Sequence, residues 1–169
     1  YEGRGTETVA IDLDEDYQHI ARITHDGSSN FMVESRDASG DYVDLVVNEV
    51  GDYDGLRPLD LDRAQPASLR IRADGRWTVT VMVADKAPRW TGTASGKAGA
   101  AVLLVDPAAA DRRVRFTHKG WSNCVLTIRG EQSSDLLVNE IGRYSGDMVL
   151  PTGTRFIEIQ SSGSWTLTT

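Results

Sequence analysis

V-V-N-E-V-G-D-Y-D-G, residues 46–55, returns almost intact as L-V-N-E-I-G-R-Y-S-G at residues 137–146. Asn48, Glu49, Gly51, Tyr53 and Gly55 become Asn139, Glu140, Gly142, Tyr144 and Gly146 at a constant offset of 91. A recurrence of this kind in a chain of 169 residues means two copies of one small domain. The copies span residues 1–85 and 86–169 and meet at the linker A-D-K-A-P-R, 84–89.

Outward from the motif, both copies alternate apolar and polar residues with period two, the signature of half-buried strands. Val9, Ile11 and Leu13 alternate with Ala10, Asp12 and Asp14. Ala21, Ile23 and His25 match Val114, Phe116 and His118. Both of these strands run into turns, D-G-S-S-N at 26–30 and K-G-W-S-N at 119–123, where Gly27 and Gly120 suit a tight hairpin. Phe31, Val33 and Ser35 face inward next, matched by Cys124, Leu126 and Ile128. Val43, Leu45 and Val47 lead into the motif, as Leu136 and Val138 do in the second copy. Leu69 and Ile71 (Ile157 and Ile159), then Trp77, Val79 and Val81 (Trp165 and Leu167), complete each copy. About seven short strands per copy, no helical period and regular turn signals predict two tandem antiparallel β-sandwiches of jelly-roll or Greek-key order.

The totals narrow the function. A net charge of −7 argues against general nucleic-acid binding. The charge is unevenly spread: residues 1–85 carry 18 acidic and 8 basic side chains, and residues 86–169 carry 7 and 10. No apolar run approaches the ~20 residues of a membrane span, and no signal peptide opens the sequence. Tyr at position 1 and strand-like residues from Trp165 to Thr169 imply a segment of a longer protein. The lone Cys124 excludes an intrachain disulfide and reads as a buried small hydrophobe. Domains this small bury only about 60% of their unfolded surface, so packing between the copies is expected.

Positions kept in both copies read first as structural. Gly51 and Gly142, with Gly55 and Gly146, are expected in turns, and Trp77 and Trp165 in the core. Asn48 and Asn139 are expected to satisfy loop amides, and Tyr53 and Tyr144 to close one sandwich edge. His25 and His118, each ending a strand, are expected to bond a loop carbonyl through a ring nitrogen. A hydrolase using either histidine with a carboxylate is the weakest functional reading, because no nucleophile motif accompanies them. Zinc spacing, phosphate loops and dinucleotide fingerprints are missing from the sequence.

Two surfaces remain. The first copy's acidic turns, with Asp37 and Asp41, Asp52 and Asp54, and Glu49, and beside them Asp12, Asp14, Asp16 and Asp44, are candidates for calcium, which takes six to eight oxygen ligands. Trp121 sits at a hairpin tip where the first copy has Ser28. An aromatic there suits stacking on a sugar or anchoring a partner. Arg113 and Lys119, with Arg112 and Arg115, would make the surroundings basic, and Tyr53 and Tyr144 are further candidate stacking residues.

H-x-G-x-S-N-F-x-V at 25–33, L-V-V-N-E-V-G-D-Y-D-G at 45–55 and A-D-G-R-W-T-V-T-V at 73–81 carry a further signal. The second copy answers with T-H-K-G-W-S-N, L-L-V-N-E-I-G-R-Y-S-G and S-S-G-S-W-T-L-T, departing at Cys124, where the pattern has an aromatic. On these stretches the chain resembles a β-sandwich module of secreted or membrane-anchored actinobacterial proteins. The resemblance implies an accessory, extracytoplasmic domain and carries no catalytic residue.

The expected function is therefore a non-enzymatic extracytoplasmic binding, interaction or spacer module of a larger protein, meeting protein or polysaccharide at a cell surface. A carbohydrate-binding pair, with or without calcium, is the alternative.

Overall fold

The strand pattern resolves into two units, Tyr1–Lys86 and Ala87–Thr169. They are described by a computed structural model that covers all residues except 63, 107–110 and 131–132. The first unit contains β1 (Glu2–Arg4), β2 (Glu7–Ala10), β3 (His19–His25), β4 (Asn30–Arg36), β5 (Tyr42–Val50), β6 (Tyr53–Pro58), β7 (Ser68–Arg72) and β8 (Arg76–Val83). The second contains β9 (Thr93–Gly96), β10 (Gly99–Leu104), β11 (Arg112–Lys119), β12 (Asn123–Arg129), β13 (Ser134–Ile141), β14 (Tyr144–Leu150), β15 (Phe156–Ser161) and β16 (Ser164–Thr168). A single 3-10 turn, Ala84–Lys86, closes the first unit.

Each unit is a pair of four-stranded antiparallel sheets, ordered β1-β8-β3-β6 and β2-β7-β4-β5 in the first, and β9-β16-β11-β14 and β10-β15-β12-β13 in the second. First pairs with eighth, second with seventh, third with sixth and fourth with fifth. That is one long hairpin wrapped around a core, the jelly-roll order. The sequence pattern undercounts the strands of each copy. It misses the short opening strands β1 and β9, whose residues are polar or small, and it reads most of β6 and β14 as part of a turn.

The inward residues are those that the alternation selects. In the second unit Val114 and Phe116 on β11, and Trp165 and Leu167 on β16, pack with Cys124, Leu126 and Ile128 on β12 and Ile157 and Ile159 on β15. In the first unit Phe31 of β4 reaches across to Tyr53 of β6, with ring centroids 5.9 Å apart, and stacks on His25 of β3 at 4.3 Å.

The alternation fails at one position shared by both units, and the first unit has a second register shift between Ser35 and Arg36. Val33 pairs with Val47 but Glu34 pairs with Leu45, so Val46 is an extra residue, a β-bulge. Leu126 pairs with Val138 and Thr127 with Leu136, leaving Leu137 as the extra residue of the second unit. A bulge moves every residue before it to the other face. Leu45 and Leu136 therefore point outward, Leu136 with 57% of its surface exposed, and do not continue an inward row.

The central motif is the crossing between sheets. Gly51 and Gly142 adopt φ of +89° and +86°, angles that side chains disfavour, so the chain can leave β5 or β13 and enter β6 or β14 within two residues. Gly55 and Gly146 are not turn glycines. They lie inside β6 and β14, opposite Ile23 and Phe116. At Gly146 a Cβ would sit 2.2 Å from the Tyr144 hydroxyl oxygen, so a glycine makes room for the tyrosine two residues before it. Asn48 and Asn139 likewise lie in extended strand, exposed and opposite Met32 and Val125, and serve no loop amide.

Candidate functional site

At one end of each jelly roll three turns meet, each crossing from one sheet to the other, so the turns at Gly27 and Gly120 are sheet crossings and not the expected hairpins. In the second unit these are the β11–β12, β13–β14 and β15–β16 turns. They are tied through main-chain groups. Gly142 N donates to Ser122 O at 3.0 Å, and Ser162 N donates to Asn123 O at 3.2 Å. Ser122 N donates to the Ser162 hydroxyl at 3.0 Å. Gly163 packs so closely on Lys119 O and the Gly120 Cα that a Cβ would fall 2.3 and 2.6 Å from them.

The buried histidines complete the joint. His25 Nδ1 donates to Gly51 O at 2.8 Å, and Nε2 accepts from Gly75 N at 3.3 Å. Asp74 Oδ1 also lies 3.2 Å from Nε2, so each ring nitrogen has a polar neighbour and the His25 ring stands beside a carboxylate. His118 Nδ1 donates to Gly142 O at 2.7 Å. Gly163 N donates instead to the Ser161 hydroxyl, at 3.2 Å, and His118 Nε2 has no hydrogen-bond partner among the described residues. The expectation of a histidine bonded to a loop carbonyl thus meets the two motif glycines as its partners. Trp77 and Trp165 are buried core residues, and Trp77 Nε1 donates to Gly5 O at 3.0 Å.

The same positions at this end carry opposite chemistry in the two units. The first unit has Asp26, Ser28, Asp52 and Asp74 where the second has Lys119, Trp121, Arg143 and Ser162. Asp74 Oδ2 accepts from Ser28 N and Ser29 N, both at 3.0 Å, and these amides, Ser28 first, hold its pKa below the usual carboxylate value. The Ser162 hydroxyl takes over the acceptor role without charge. Trp121 stands on the tip with 95% of its surface exposed. Ile141 at the end of β13, paired with Asn123 two residues after Trp121, is 78% exposed. Lys119 and Arg143 are exposed, and so is Lys97 in the β9–β10 turn, whose flanking Gly96 and Gly99 pair with Trp165 and Ser161. Glu140 is the nearby carboxylate.

Lys119 and Trp121 thus converge, but Arg113 does not join them. It lies six residues back along β11, roughly 20 Å away at strand rise. Arg115 is taken by Asp147 in a bidentate pair of 2.7 and 2.8 Å, and Arg112 lies over the Trp90 ring at 5.8 Å. The predicted basic patch along β11 is therefore replaced by one assembled from three turns. Tyr53 is buried against Phe31, and Tyr144 tilts onto Phe116 at 6.2 Å, so both rings are turned into the sandwich rather than onto the tip.

The acidic candidates divide between opposite ends of β4. Asp37 Oδ1 accepts from Ser39 N and Asp41 N, both at 2.9 Å, capping its own turn. Asp44 Oδ1 accepts from Leu45 N. Glu49 and Asp52 lie at the far end, about 20 Å away at strand rise. Burial raises the pKa of Glu49 and the Arg57 charge opposes it. Asp54 pairs with Arg22 at 2.8 and 3.0 Å. Asp14 Oδ1 accepts from Asp16 N at 3.0 Å, while Asp12 and Asp14 border a shallow open depression of about 520 Å³. Among the described residues no three His, Cys, Asp or Glu side chains gather closely enough to hold a metal.

Three features carry no early sequence signal. His19 and Asp60 form a buried pair in which Asp60 accepts from both the His19 amide and Nδ1, the latter at 2.8 Å. Both carboxylate oxygens serve one residue, so the pair pins the start of β3. Nearby, Gln18 Nε2 donates to Leu61 O at 2.7 Å. In the second unit Asp111 Oδ1 instead accepts from Thr152 N at 2.7 Å, the same tie with donor and acceptor exchanged. The third is Ile141: like its counterpart Val50, 75% exposed, it turns a branched aliphatic to water at the same motif position.

Cys124 is fully buried, and burial together with Glu140 pushes its thiol up to about 11. No protein-family model matches the chain, and no curated protein matches it.

Proposed function

We propose that the chain is a non-enzymatic, extracytoplasmic binding module whose contact surface is the loop end of the second unit. The observation that carries this reading is Trp121, almost wholly exposed on a turn whose backbone is held by the neighbouring turns. A large aromatic held rigidly in water loses little conformational entropy on contact and suits an anchoring role. The extracytoplasmic setting rests on the resemblance given above. Proton-transfer chemistry is the weaker reading: His25 has Asp74 Oδ1 3.2 Å from its Nε2, but both histidine rings are buried and tied to glycine carbonyls, and His118 has Ser162 where His25 has Asp74.

A second reading, carbohydrate binding, is favoured by the polar collar of Ser122, Asn123 and Ser162 around the indole. The first unit's acidic turns lie outside this surface, so this reading places no calcium in it. The test is direct. Ligands are added while Trp121 is followed by iodide quenching, and Trp121→Ala is compared for retention on candidate polymers. A ligand that shields Trp121 and is lost with Trp121→Ala supports the reading. Binding that survives Trp121→Ala undiminished refutes it.

A further inference from the structure

The makeup of the loop end favours one class of partner. We infer that the tip of the second unit docks on an anionic lipid bilayer, with Trp121 and Ile141 entering the headgroup region and Lys119, Arg143 and Lys97 meeting lipid phosphates. This inference rests on the tip being a contact surface, as proposed above, and adds what it contacts.

Four observations converge. First, the apolar groups protrude: Trp121 on its turn and Ile141 at the end of β13 are 95% and 78% exposed. A protruding pair suits insertion into a deformable, interfacial medium, where tryptophan is favoured. Second, three exposed cations come from three different turns around that pair, Lys97, Lys119 and Arg143, against one carboxylate, Glu140. Long cationic stems reach phosphates while their methylenes lie on apolar surface. Third, the turns are bonded to one another, so the tip is presented without an ordering cost. Fourth, the first unit is an internal contrast: its equivalent end places Asp26, Ser28, Asp52 and Asp74 around Val50 and would be repelled by the same surface.

The chain carries its own reporter. Of its four tryptophans, Trp77, Trp90 and Trp165 are buried, so an emission change on binding without unfolding reports Trp121. The experiment mixes the full chain with vesicles of phosphatidylcholine alone, or with about 30% phosphatidylserine, and reads sedimentation, emission wavelength and iodide quenching. Partition to the phosphatidylserine vesicles is expected, with a blue shift, loss of the iodide-accessible fraction and release by high salt.

Lys119→Glu and Arg143→Glu should each weaken partition by about fivefold or more, since each basic residue near such a surface contributes about that factor. Trp121→Ala and Ile141→Ser should weaken it without altering the melting midpoint, as both side chains are exposed. Ser28→Ala, at the first unit's equivalent turn, should change nothing.

Absence of partition to either vesicle, with the chain folded, overturns the inference. Partition that ignores lipid charge or survives Lys119→Glu does so too. A parallel arm with soluble polysaccharides separates the two levels. Sugar that shields Trp121 while vesicles do not removes the lipid partner but keeps the contact surface. If neither shields Trp121, both readings fall.

Discussion

The motif G-x-Y-x-G contains two glycines for two different physical reasons, and a mutant cycle separates them. Gly142 has φ of +86°, and a Cβ added there would meet nothing within 4 Å, so Gly142→Ala should cost only the left-handed backbone penalty, about 1–2 kcal/mol. Gly142→Asn should cost less, because asparagine tolerates that region. Gly146 is ordinary extended strand, but its added Cβ would stand 2.2 Å from the Tyr144 hydroxyl oxygen and 2.7 Å from its Cζ. The ring cannot swing away freely because it packs on Phe116. Gly146→Ala should therefore cost roughly 1–3 kcal/mol by overpacking. In a Tyr144→Ala background the clash is gone, and the same substitution should become neutral or stabilise by about 0.4–1 kcal/mol through the unfolded chain.

The coupling between positions 144 and 146 is then at least about 1 kcal/mol, whereas Gly142→Ala and Tyr144→Ala should combine with a far smaller coupling term. Urea unfolding supplies the energies, and amide exchange at Phe116 and Leu126 assigns the transition to the second unit. In a unit of this size each kcal/mol moves the melting midpoint by roughly 4–8 °C. A Gly146→Ala penalty that is undiminished when Tyr144 is truncated would refute the account of the second glycine.

Other outcomes follow from the same geometry. Cys124 ionises near 11 in the folded state, above its ordinary 9.0, so the folded chain holds its proton longer than the unfolded one. The associated stability is intact below pH 9 and lost as pH rises towards 11. Urea midpoints of the second unit should fall over that window, and Cys124→Ala should flatten the slope. Asp74 titrates below its usual value because amides of Ser28 and Ser29 hold the carboxylate, so its contribution is present above about pH 4 and fades in more acid solution. Asp74→Ser, which copies the second unit, should shrink the acid-induced loss in the first unit. Leu136→Lys should change stability by less than about 0.5 kcal/mol, because the bulge turns Leu136 outward. Val138→Ala, two positions on and buried, should cost well over about 1 kcal/mol in the same assay.

Much of the sandwich could be read from period two, since Phe31, Val33 and Ser35, or Cys124, Leu126 and Ile128, mark an inward face with no help from tertiary structure. The wrapped pairing of β1 with β8 could not, because β1 has almost no apolar pattern and presents a glycine, Gly3, to the Trp77 ring of β8. The bulges at Val46 and Leu137 escaped for a similar reason: two adjacent apolar residues read equally well as in-then-out or as an inserted pair. At the tip, Trp121 was visible as an aromatic in a turn. Its companions Ile141, Arg143 and Lys97 were not, since they lie up to 46 residues apart in sequence and meet only when the turns come together. Arg113 was the opposite error, near in sequence but carried away by the length of an extended strand.

Closure of the loop end relies largely on peptide groups: glycine carbonyls that receive a histidine proton, and turn amides that find carbonyls or one small acceptor. Such a joint asks little of the side chains that ride on it. Asp26, Ser28 and Asp52 could become Lys119, Trp121 and Arg143 while the histidine, the glycines and the tryptophan beneath stayed in place. A frame of this kind works as an interchangeable mount. Duplication supplies a spare, one copy can keep its old tip while the other is rewritten, and new specificity is gained there without renegotiating the core.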